Sequence, residues 1–166
     1  VTKDFNFVAR IDADDRWYPD KLEKQRDFIL ENPDISILGT QIMPVDSEDF
    51  EPIRSSFIER PKTDKEIKEW LFSSRNPIAH PSVVYDKKIL LRTGGYDDLF
   101  PIAEDYALWL KAAKWYKFAN LNDICIDYTI KHNPNYNPKV PQVASQLYKI
   151  LYKQIGEKWF YLNKHG

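Results

Sequence analysis

Three carboxylates follow the first β-prone segment of the chain. Residues 5–11 (FNFVARI) have the composition of a strand, and Asp12, Asp14 and Asp15 come directly after it. Carboxylates at positions i and i+2 on a turn can both reach one ion, and Mg²⁺ and Mn²⁺ take oxygen ligands alongside substrate phosphates. The same acids also suit a solvated turn or the N-terminal cap of a helix. From these residues alone, a metal site and a structural turn are both open interpretations.

A second acidic pair, Glu104 and Asp105, begins a segment with the pattern of a helix over residues 104–115. A carboxylate within hydrogen-bond reach of a hydroxyl group can accept its proton as the oxygen attacks an electrophilic carbon. Acidic residues are also favoured in the first turn of any helix, because the helix dipole stabilises them. On pattern alone, the structural explanation of this pair is the better one.

The elements that must position these residues alternate between strands and helices, which predicts an α/β fold. A helix is expected from Pro19 to Asn32, and Thr63 with Glu66 predicts a capping box at the start of another. Residues 46–62 and 133–141 have the composition of loops. The remaining predicted strands are 35–40 (with 42–45 as a candidate continuation), 82–85, 118–121 and 125–129, and the remaining helices are 87–92, 104–115 and 143–162. Gly94 and Gly95 are expected to end the helix at 87–92, because glycine accepts the left-handed conformation at little cost.

The composition is that of an ordinary globular domain. The 166 residues are 43% hydrophobic and 30% charged, which predicts one domain. The net charge of −1 offers no strongly basic surface, so we expect no nucleic-acid partner. Cys125 is the single cysteine, which excludes an internal disulfide and is consistent with a reducing, cytoplasmic compartment. No apolar run approaches the roughly 18 residues that indicate a membrane-spanning helix.

Four blocks of the sequence are together similar to a known family. They are residues 9–28 (ARIDADDRWYPDKLEKQRDF), 76–85 (NPIAHPSVVY), 94–97 (GGYD) and 104–110 (EDYALWL). In order and spacing they resemble the family-2 glycosyltransferases of the GT-A fold, and the resemblance covers residues 8–130. Each block would be weak evidence alone, whereas the four in this order are specific.

The resemblance implies the C-terminal part of a GT-A fold, with a mixed sheet flanked by helices. We expect residues 1–138 to form a partial catalytic domain and residues 139–166 to form an amphipathic helix that packs on it or extends from it. Family members begin with a strand, a turn and a helix that bind the nucleotide base, whereas eleven residues precede Asp12 here. We therefore expect the base-binding half to be absent from this sequence, with a second chain as one possible source.

The same resemblance assigns roles to the first acidic segment. It implies inverting transfer from a nucleotide-diphosphate sugar, with Mn²⁺ or Mg²⁺ as the cofactor. Asp12 would contact the donor ribose or the metal, Asp14 would hold the metal at the diphosphate, and Asp15 is a further candidate ligand. Arg10 would pair with these acids or bind the donor. We predict that Asp12 and Asp14 lie at the end of a central strand, with their carboxylates converging on one cation.

The second acidic segment is assigned to the acceptor. Asp105 matches the position of the general base that deprotonates the acceptor hydroxyl, and Glu104 would support it. Because base and metal must flank one anomeric carbon, we predict that Asp105 opens a helix and faces the same cleft as Asp14.

Two histidines fall in regions that resemble the family. His80 is expected on the acceptor side, where a structural role and a catalytic one are both open. His132 follows a tyrosine-containing strand and is a candidate metal ligand. The family more often has arginine directly after that tyrosine, where Thr129 stands here, which weakens the phosphate-binding role of this region.

The implied acceptor is a growing surface glycan or a lipid-linked sugar. Lysines and aromatic residues interleave over residues 149–164, which suits peripheral contact with the inner face of a membrane, although packing on the domain explains the same pattern. Two other functions remain open. One is a non-catalytic remnant that acts as a binding or assembly module. The other is a metal-dependent phosphohydrolase, which would use the first acidic segment but leaves the later blocks unexplained.

Overall fold

The computed structural model describes residues 6–101 and 103–130. In chain order they form β1 Phe7–Ala9, β2 Arg16–Trp17, α1 Lys21–Glu31, β3 Ile35–Asp46, α2 Asp64–Phe72, β4 Val84–Asp86, α3 Lys88–Thr93, α4 Glu104–Ala112 and β5 Lys117–Ile130. Short 3-10 helices lie at Arg54–Ser56 and His80–Ser82. The loop predicted at 133–141 and the C-terminal helix predicted at 143–162 lie outside the described residues.

The five strands form one mixed sheet in the order β1-β4-β3-β5-β2. β3 and β5 run parallel at its centre, whereas the other three pairs are antiparallel. Parallel neighbours require a crossover connection, and here the chain between β3 and β5 supplies α2, β4, α3 and α4. The α/β class expected from the alternation of elements, with a mixed sheet flanked by helices, is confirmed.

The two faces of the central strands are covered by different helices. Ile37 and Phe118 belong to the larger core, in which side chains of α2, α3 and α4 surround the fully buried Trp109. Leu38 and Ala119, one residue further along each strand, belong to a separate cluster with side chains of α1. This separation follows from the two-residue period of a strand. It places α4 and its acidic first turn on the face opposite α1.

The helix boundaries follow local signals in the sequence. Thr63 accepts a hydrogen bond from the Glu66 N–H at 3.4 Å, and Glu66 accepts one from the Thr63 N–H at 3.1 Å, so the predicted capping box is confirmed. Gly94 ends α3 with φ of +79°, a conformation that costs glycine little. The helix expected from Pro19 begins at Lys21 instead, after a turn in which Lys21 N–H donates to Tyr18 O at 3.1 Å.

The strand before the carboxylates was predicted to be central, and that prediction is wrong for the sheet that the described residues form. β1 pairs with β4 alone and occupies the edge. It is also shorter than expected, since it ends at Ala9, although Arg10 still donates its N–H to Val83 O at 3.1 Å. Asp12 therefore lies in the turn beyond the strand rather than at its last residue.

The last two predicted strands are a single strand, β5. Between the pairs Gly39–Asn120 and Gln41–Ile124, the ladder advances two residues on β3 and four on β5. This irregularity accommodates the exposed residues Asn122 and Asp123, whose polar pattern predicted a break. The predicted continuation of β3 through residues 42–45 is confirmed, because β3 extends to Asp46.

Asn120 ties two loops to the centre of the sheet. Its Nδ2 donates to the carbonyl oxygens of Pro61 at 2.6 Å and Pro77 at 3.1 Å. The side chain passes over Gly39, where a Cβ atom would lie 2.1 Å from Asn120 Oδ1. A side chain at residue 39 would therefore displace the amide that holds both loops.

Gln41 fixes the end of the segment predicted as a surface loop. Its Oε1 accepts from the Arg60 N–H at 2.8 Å, and its Nε2 donates to Arg60 O at 3.1 Å. Gln41 is almost fully buried, at 2% exposure. The main chain of Arg60 is therefore fixed to β3.

Candidate active site

A polar cavity of about 320 Å³ lies where the chain after β1, the His80–Ser82 turn, the first turn of α4 and the end of β5 meet. It brings together four of the predicted site residues: Arg10, Asp12, Glu104 and Asp105. Four further polar residues line it: Arg60, Asn76, His80 and Tyr128. The two acidic segments singled out in the sequence therefore share one site.

Asp12 is the carboxylate of the first segment that lines this cavity. The turn that carries it is closed by a hydrogen bond from Asp15 N–H to Asp12 O at 3.2 Å. Arg10 binds both carboxylate oxygens, with Nη1 2.7 Å from Oδ2 and Nη2 2.6 Å from Oδ1. The predicted pairing of Arg10 with the acids is present. The Asp12 carboxylate is thus already paired with a positively charged group, the Arg10 guanidinium.

Asp15 is directed towards β5. Its Oδ1 accepts from the Thr129 N–H at 2.8 Å, while the hydroxyl group of Thr129 donates to Asp14 O. Asp15 Oδ2 is buried and has no hydrogen-bond partner among the described residues. Burial raises the pKa of Asp15 to about 6, and the nearby Asp12 and Asp14 add to the increase. Thr129, which departs from the family pattern, thus connects the acidic turn to β5.

Asp105 lies in the first turn of α4, as predicted. Asn76 Nδ2 donates to its Oδ2 at 2.6 Å, and the Tyr106 N–H donates to its Oδ1 at 2.7 Å. No cationic side chain of the described residues lies within 4 Å of this carboxylate. Burial raises the pKa of Asp105, and the two hydrogen bonds partly oppose that increase. The result is a positioned carboxylate with enhanced basicity.

His80 is held inside the cavity wall. Its Nε2 lies 2.9 Å from the hydroxyl oxygen of Tyr96, and its Nδ1 lies 3.7 Å from Glu104 Oε1. Burial, followed by the positive charge of Arg10, lowers the pKa of His80 to about 4. A neutral imidazole at pH 7 supports the packing of the wall, and it is poorly suited to donate a proton.

Arg60 enters the cavity from the segment that Gln41 fixes. Its Nη1 donates to Asn76 O at 3.1 Å, while its Nε is buried without a hydrogen-bond partner among the described residues. No carboxylate of the described part of the chain lies within 4 Å of its guanidinium, and burial lowers the pKa of Arg60. Sequence reasoning missed this residue because it lies in a weakly patterned segment that carries no local signal of burial.

Asn76 and Tyr128 lie in segments that the sequence analysis had already singled out. Asn76 begins one of the blocks that resemble the family, and Tyr128 lies in the strand that precedes Thr129. The sequence did not predict that the Asn76 amide would contact Asp105, since the two residues are brought together by the packing of α2 and α4 against β3 and β5.

The donor chemistry of the first acidic segment is compatible with a hard divalent cation. Mg²⁺ is typically bound through one or two carboxylates, with phosphates and water completing its oxygen ligands. Asp12 lines the cavity, and Asp15 Oδ2 is a buried oxygen without a hydrogen-bond partner among the described residues. Within residues 6–101 and 103–130, no group of three or more acidic, histidine or cysteine side chains is arranged to hold an ion by itself. His132 lies outside the described residues, and the cavity lining does not include Asp14.

No helix in the described part of the chain is both long and apolar enough to span a bilayer. The predicted amphipathic segment at residues 149–164 lies outside that part, so its membrane contact stays a prediction.

Residues 3–139 match the model of the family described as "Glycosyltransferase like family 2", and the chain belongs to that family. The resemblance stated from the four sequence blocks is thereby confirmed. The mixed sheet with flanking helices is consistent with the GT-A-like domain that the resemblance implied.

Individual relatives are glycosyltransferases by name. The chain is 36% identical over 124 residues to an uncharacterized glycosyltransferase of Haemophilus influenzae, an alignment that covers 74% of this chain and 44% of the relative. It is 34% identical over 137 residues to the O-antigen biosynthesis glycosyltransferase WbnJ of Escherichia coli, covering 80% of this chain and 51% of the relative.

A third relative has a more specific name. The UDP-Gal:alpha-D-GlcNAc-diphosphoundecaprenol beta-1,3-galactosyltransferase of Escherichia coli is 27% identical over 164 residues, which cover 95% of this chain and 58% of that protein. The chain spans about half the length of the curated relatives that it matches.

Proposed function

We propose that this chain carries the metal- and acceptor-side part of an inverting glycosyltransferase site. The enzyme would transfer a sugar from a nucleotide-diphosphate donor to a hydroxyl group of a glycan or lipid-linked acceptor. The observation that carries the proposal is the joint position of Asp12 and Asp105 in one cavity of about 320 Å³, in a chain of the glycosyltransferase family.

Asp12 and Asp14 would hold Mn²⁺ or Mg²⁺, which neutralises the charge of a diphosphate leaving group as a Lewis acid. The Asp12 carboxylate is paired with the Arg10 guanidinium in the structure. A bound metal ion would therefore either share this carboxylate with Arg10 or displace the guanidinium. Asp15 is a weaker candidate ligand, because one of its oxygens is committed to the main chain of Thr129. His132 remains a proposed ligand on the basis of the resemblance.

Asp105 would accept the proton of the attacking hydroxyl group. Its two hydrogen bonds fix the carboxylate, and its raised pKa makes it a stronger base than an ordinary aspartate. Glu104 lines the same cavity and lies near His80, so it would support the acceptor rather than replace the base.

The names of the relatives support the substrate class. One relative is named for transfer from UDP-Gal to a sugar linked through diphosphate to undecaprenol, and another for O-antigen biosynthesis. We therefore propose polysaccharide biosynthesis on a lipid-linked or growing glycan, at the inner face of a membrane.

The test is a transfer assay with the full-length or complemented enzyme, a panel of nucleotide-diphosphate sugars and lipid-linked acceptor analogues. Activity should require Mn²⁺ or Mg²⁺, disappear with a chelator and fall strongly in Asp12→Asn, whereas the exposed Asp98→Asn serves as the matched control. If the folded protein neither transfers nor hydrolyses any donor with either metal, the binding-module alternative is favoured.

A further inference from the structure

Arg60 is a partly buried cation that the acidic chemistry of the proposed site does not use. Arg10 is paired with Asp12, and no comparable carboxylate lies within 4 Å of Arg60 among the described residues. Removing a charge from water without a partner is costly, so an anionic ligand that pairs with Arg60 would offset that cost. Its Nε is buried and has no hydrogen-bond partner within the described residues, so one N–H donor of a guanidinium that lines the cavity is unsatisfied.

The position of Arg60 is built by the fold. The Gln41 side chain binds the main chain of Arg60 in both directions, and Asn120 holds the neighbouring Pro61. Arg60 Nη1 then donates to Asn76 O, and the Asn76 side chain donates to Asp105. The guanidinium is therefore placed on the Asp105 side of the cavity by hydrogen bonds from the centre of the sheet.

Arg60 also lines a second groove and is the lining residue that the groove shares with the cavity. This groove has a volume of about 360 Å³ and is shared by Lys62, Glu66 and Trp70, among others. Lys62 is paired with Glu59 at 2.7 Å, so its charge is already compensated. A ligand that extends from the cavity into this groove would therefore pass Arg60 as the cation without an ion-pair partner.

We propose that Arg60 binds a phosphate group of a substrate, on the side of the cavity where Asp105 lies. A guanidinium presents several N–H donors in a planar fork that fits phosphate oxygens, and charge-assisted hydrogen bonds of this kind are about twice as strong as neutral ones. The inference rests on the proposed function, which supplies two sources of that chemistry. One is the diphosphate of the donor, and the other is the diphosphate of a lipid-linked acceptor.

The experiment measures equilibrium binding of inorganic pyrophosphate to the full chain by calorimetry, without metal and at low salt. Arg60→Gln should weaken binding about ten- to hundredfold, the size expected for loss of hydrogen bonds to a charged group. Arg75→Gln is the matched control, because it removes the same charge from a guanidinium that stacks on the Trp70 ring, 3.5 Å from its centroid. Equal binding by wild type and Arg60→Gln, or equal losses in both variants, would overturn the proposal.

Two measurements keep the test independent of how Arg60→Gln folds. In wild-type protein, pyrophosphate should shift the NMR resonance of the Arg60 Nε–H, assigned by its absence in Arg60→Lys. Arg60→Lys retains the charge and should bind pyrophosphate with an intermediate affinity. An unmoved Nε–H resonance under saturating pyrophosphate would overturn the proposal.

Two further ligands distinguish the donor diphosphate from the acceptor diphosphate, and the same experiments separate the Arg60 proposal from the proposed function. If Arg60→Gln lowers the affinity for a nucleoside diphosphate, Arg60 binds the donor. If it lowers the affinity for a short-chain alkyl diphosphate sugar, Arg60 binds the acceptor. Loss of both supports a shared phosphate position, and loss of neither overturns the proposal. Pyrophosphate binding through Arg60 in a protein without transferase activity would retain this inference while rejecting the proposed function.

Discussion

The two acidic segments of the cavity are built in opposite ways. In the turn after β1, Asp12 is bound by the guanidinium of Arg10, and Asp15 is committed to the main chain of Thr129. In the first turn of α4, Asp105 accepts hydrogen bonds only from neutral groups, those of Asn76 and Tyr106, among the contacts described. In the first segment, Asp12 is paired with a guanidinium, whereas in the second, Asp105 has no ion-pair partner among the described residues and its pKa is raised.

This difference suggests how carboxylates in one cavity can serve two tasks, cation binding and proton transfer. A carboxylate paired with a guanidinium occupies a position that favours positive charge, which also suits a metal ion. A buried carboxylate with neutral donors retains its geometry while its pKa rises. This difference supports the proposal that a cation binds at the turn and that α4 carries out proton transfer.

The largest expected effect is that of Asp105→Asn. The amide keeps the size of the side chain but cannot accept the proton, so turnover should fall by about 100- to 10,000-fold, the usual contribution of general base catalysis. Donor binding should be almost unchanged, because the donor is assigned to the turn. Steady-state kinetics and donor titrations of Asp105→Asn and the Asp98→Asn control check this. Turnover that stays at the wild-type level would remove Asp105 from the mechanism.

His80 tests whether the wall between the two segments must be neutral. Its folded-state pKa of about 4 lies below the unfolded value near 6.5, so the unfolded state binds the proton more tightly. Stability should be fully present above pH 6.5 and should be lost as the pH falls towards 4, by about 2–3 kcal/mol. Urea unfolding across this window measures the loss, and His80→Gln should lack that part of it. Identical pH dependence in both proteins would contradict the assignment.

Gly39→Ala tests the support beneath the α4 side of the cavity. The new Cβ atom would meet Asn120 Oδ1 at 2.1 Å and displace the amide that holds Pro61 and Pro77. Overpacking of this kind costs about 1–3 kcal/mol in the free energy of unfolding. Gly94→Ala is a useful control, because its Cβ atom would meet nothing within 4 Å and only its φ of +79° is unfavourable. Gly39→Ala should weaken the phosphate site at Arg60, and Gly94→Ala should not.

Asn76→Ala is expected to have the smallest effect, and it tests whether the Asn76 amide sets the basicity of Asp105. The Asn76 amide lowers the pKa of Asp105, so its removal should raise that pKa further. Because the base must be ionised, the acid limb of the kcat profile should move to higher pH. Turnover should therefore fall on the acid side of the profile, where a smaller fraction of Asp105 is ionised. An unmoved acid limb would show that Asn76 does not position the base.

Much of the fold was predictable because its signals are local. The capping box at Thr63 and the end of α3 at Gly94 depend on neighbouring residues, and both were predicted correctly. The edge position of β1 and the continuity of β5 depend on pairing between distant strands, which hydrophobic pattern does not encode.

The candidate site divides in the same way. Asp12 and Asp105 stand in motifs, whereas Arg60 was missed because its position depends on Gln41, nineteen residues away in the sequence. A long-range hydrogen bond of this kind leaves no periodicity or composition signal in the segment that it fixes. The functional assignment of Asp12 and Asp105 rests on the family resemblance, and the structure adds that they share one cavity.

The most direct test of the division between turn and helix is paramagnetic broadening of backbone amide resonances by Mn²⁺ with a nucleoside diphosphate. If the cation binds at the turn, broadening should be strong at residues 12–15, should extend across the cavity to the first turn of α4, and should be lost in Asp12→Asn. The acidic loop at Asp46, Glu48, Asp49 and Glu51 provides an internal comparison, because it also carries carboxylates but lines no part of the cavity. Broadening centred on that loop, or unchanged by Asp12→Asn, would contradict the assignment of the cation to the turn.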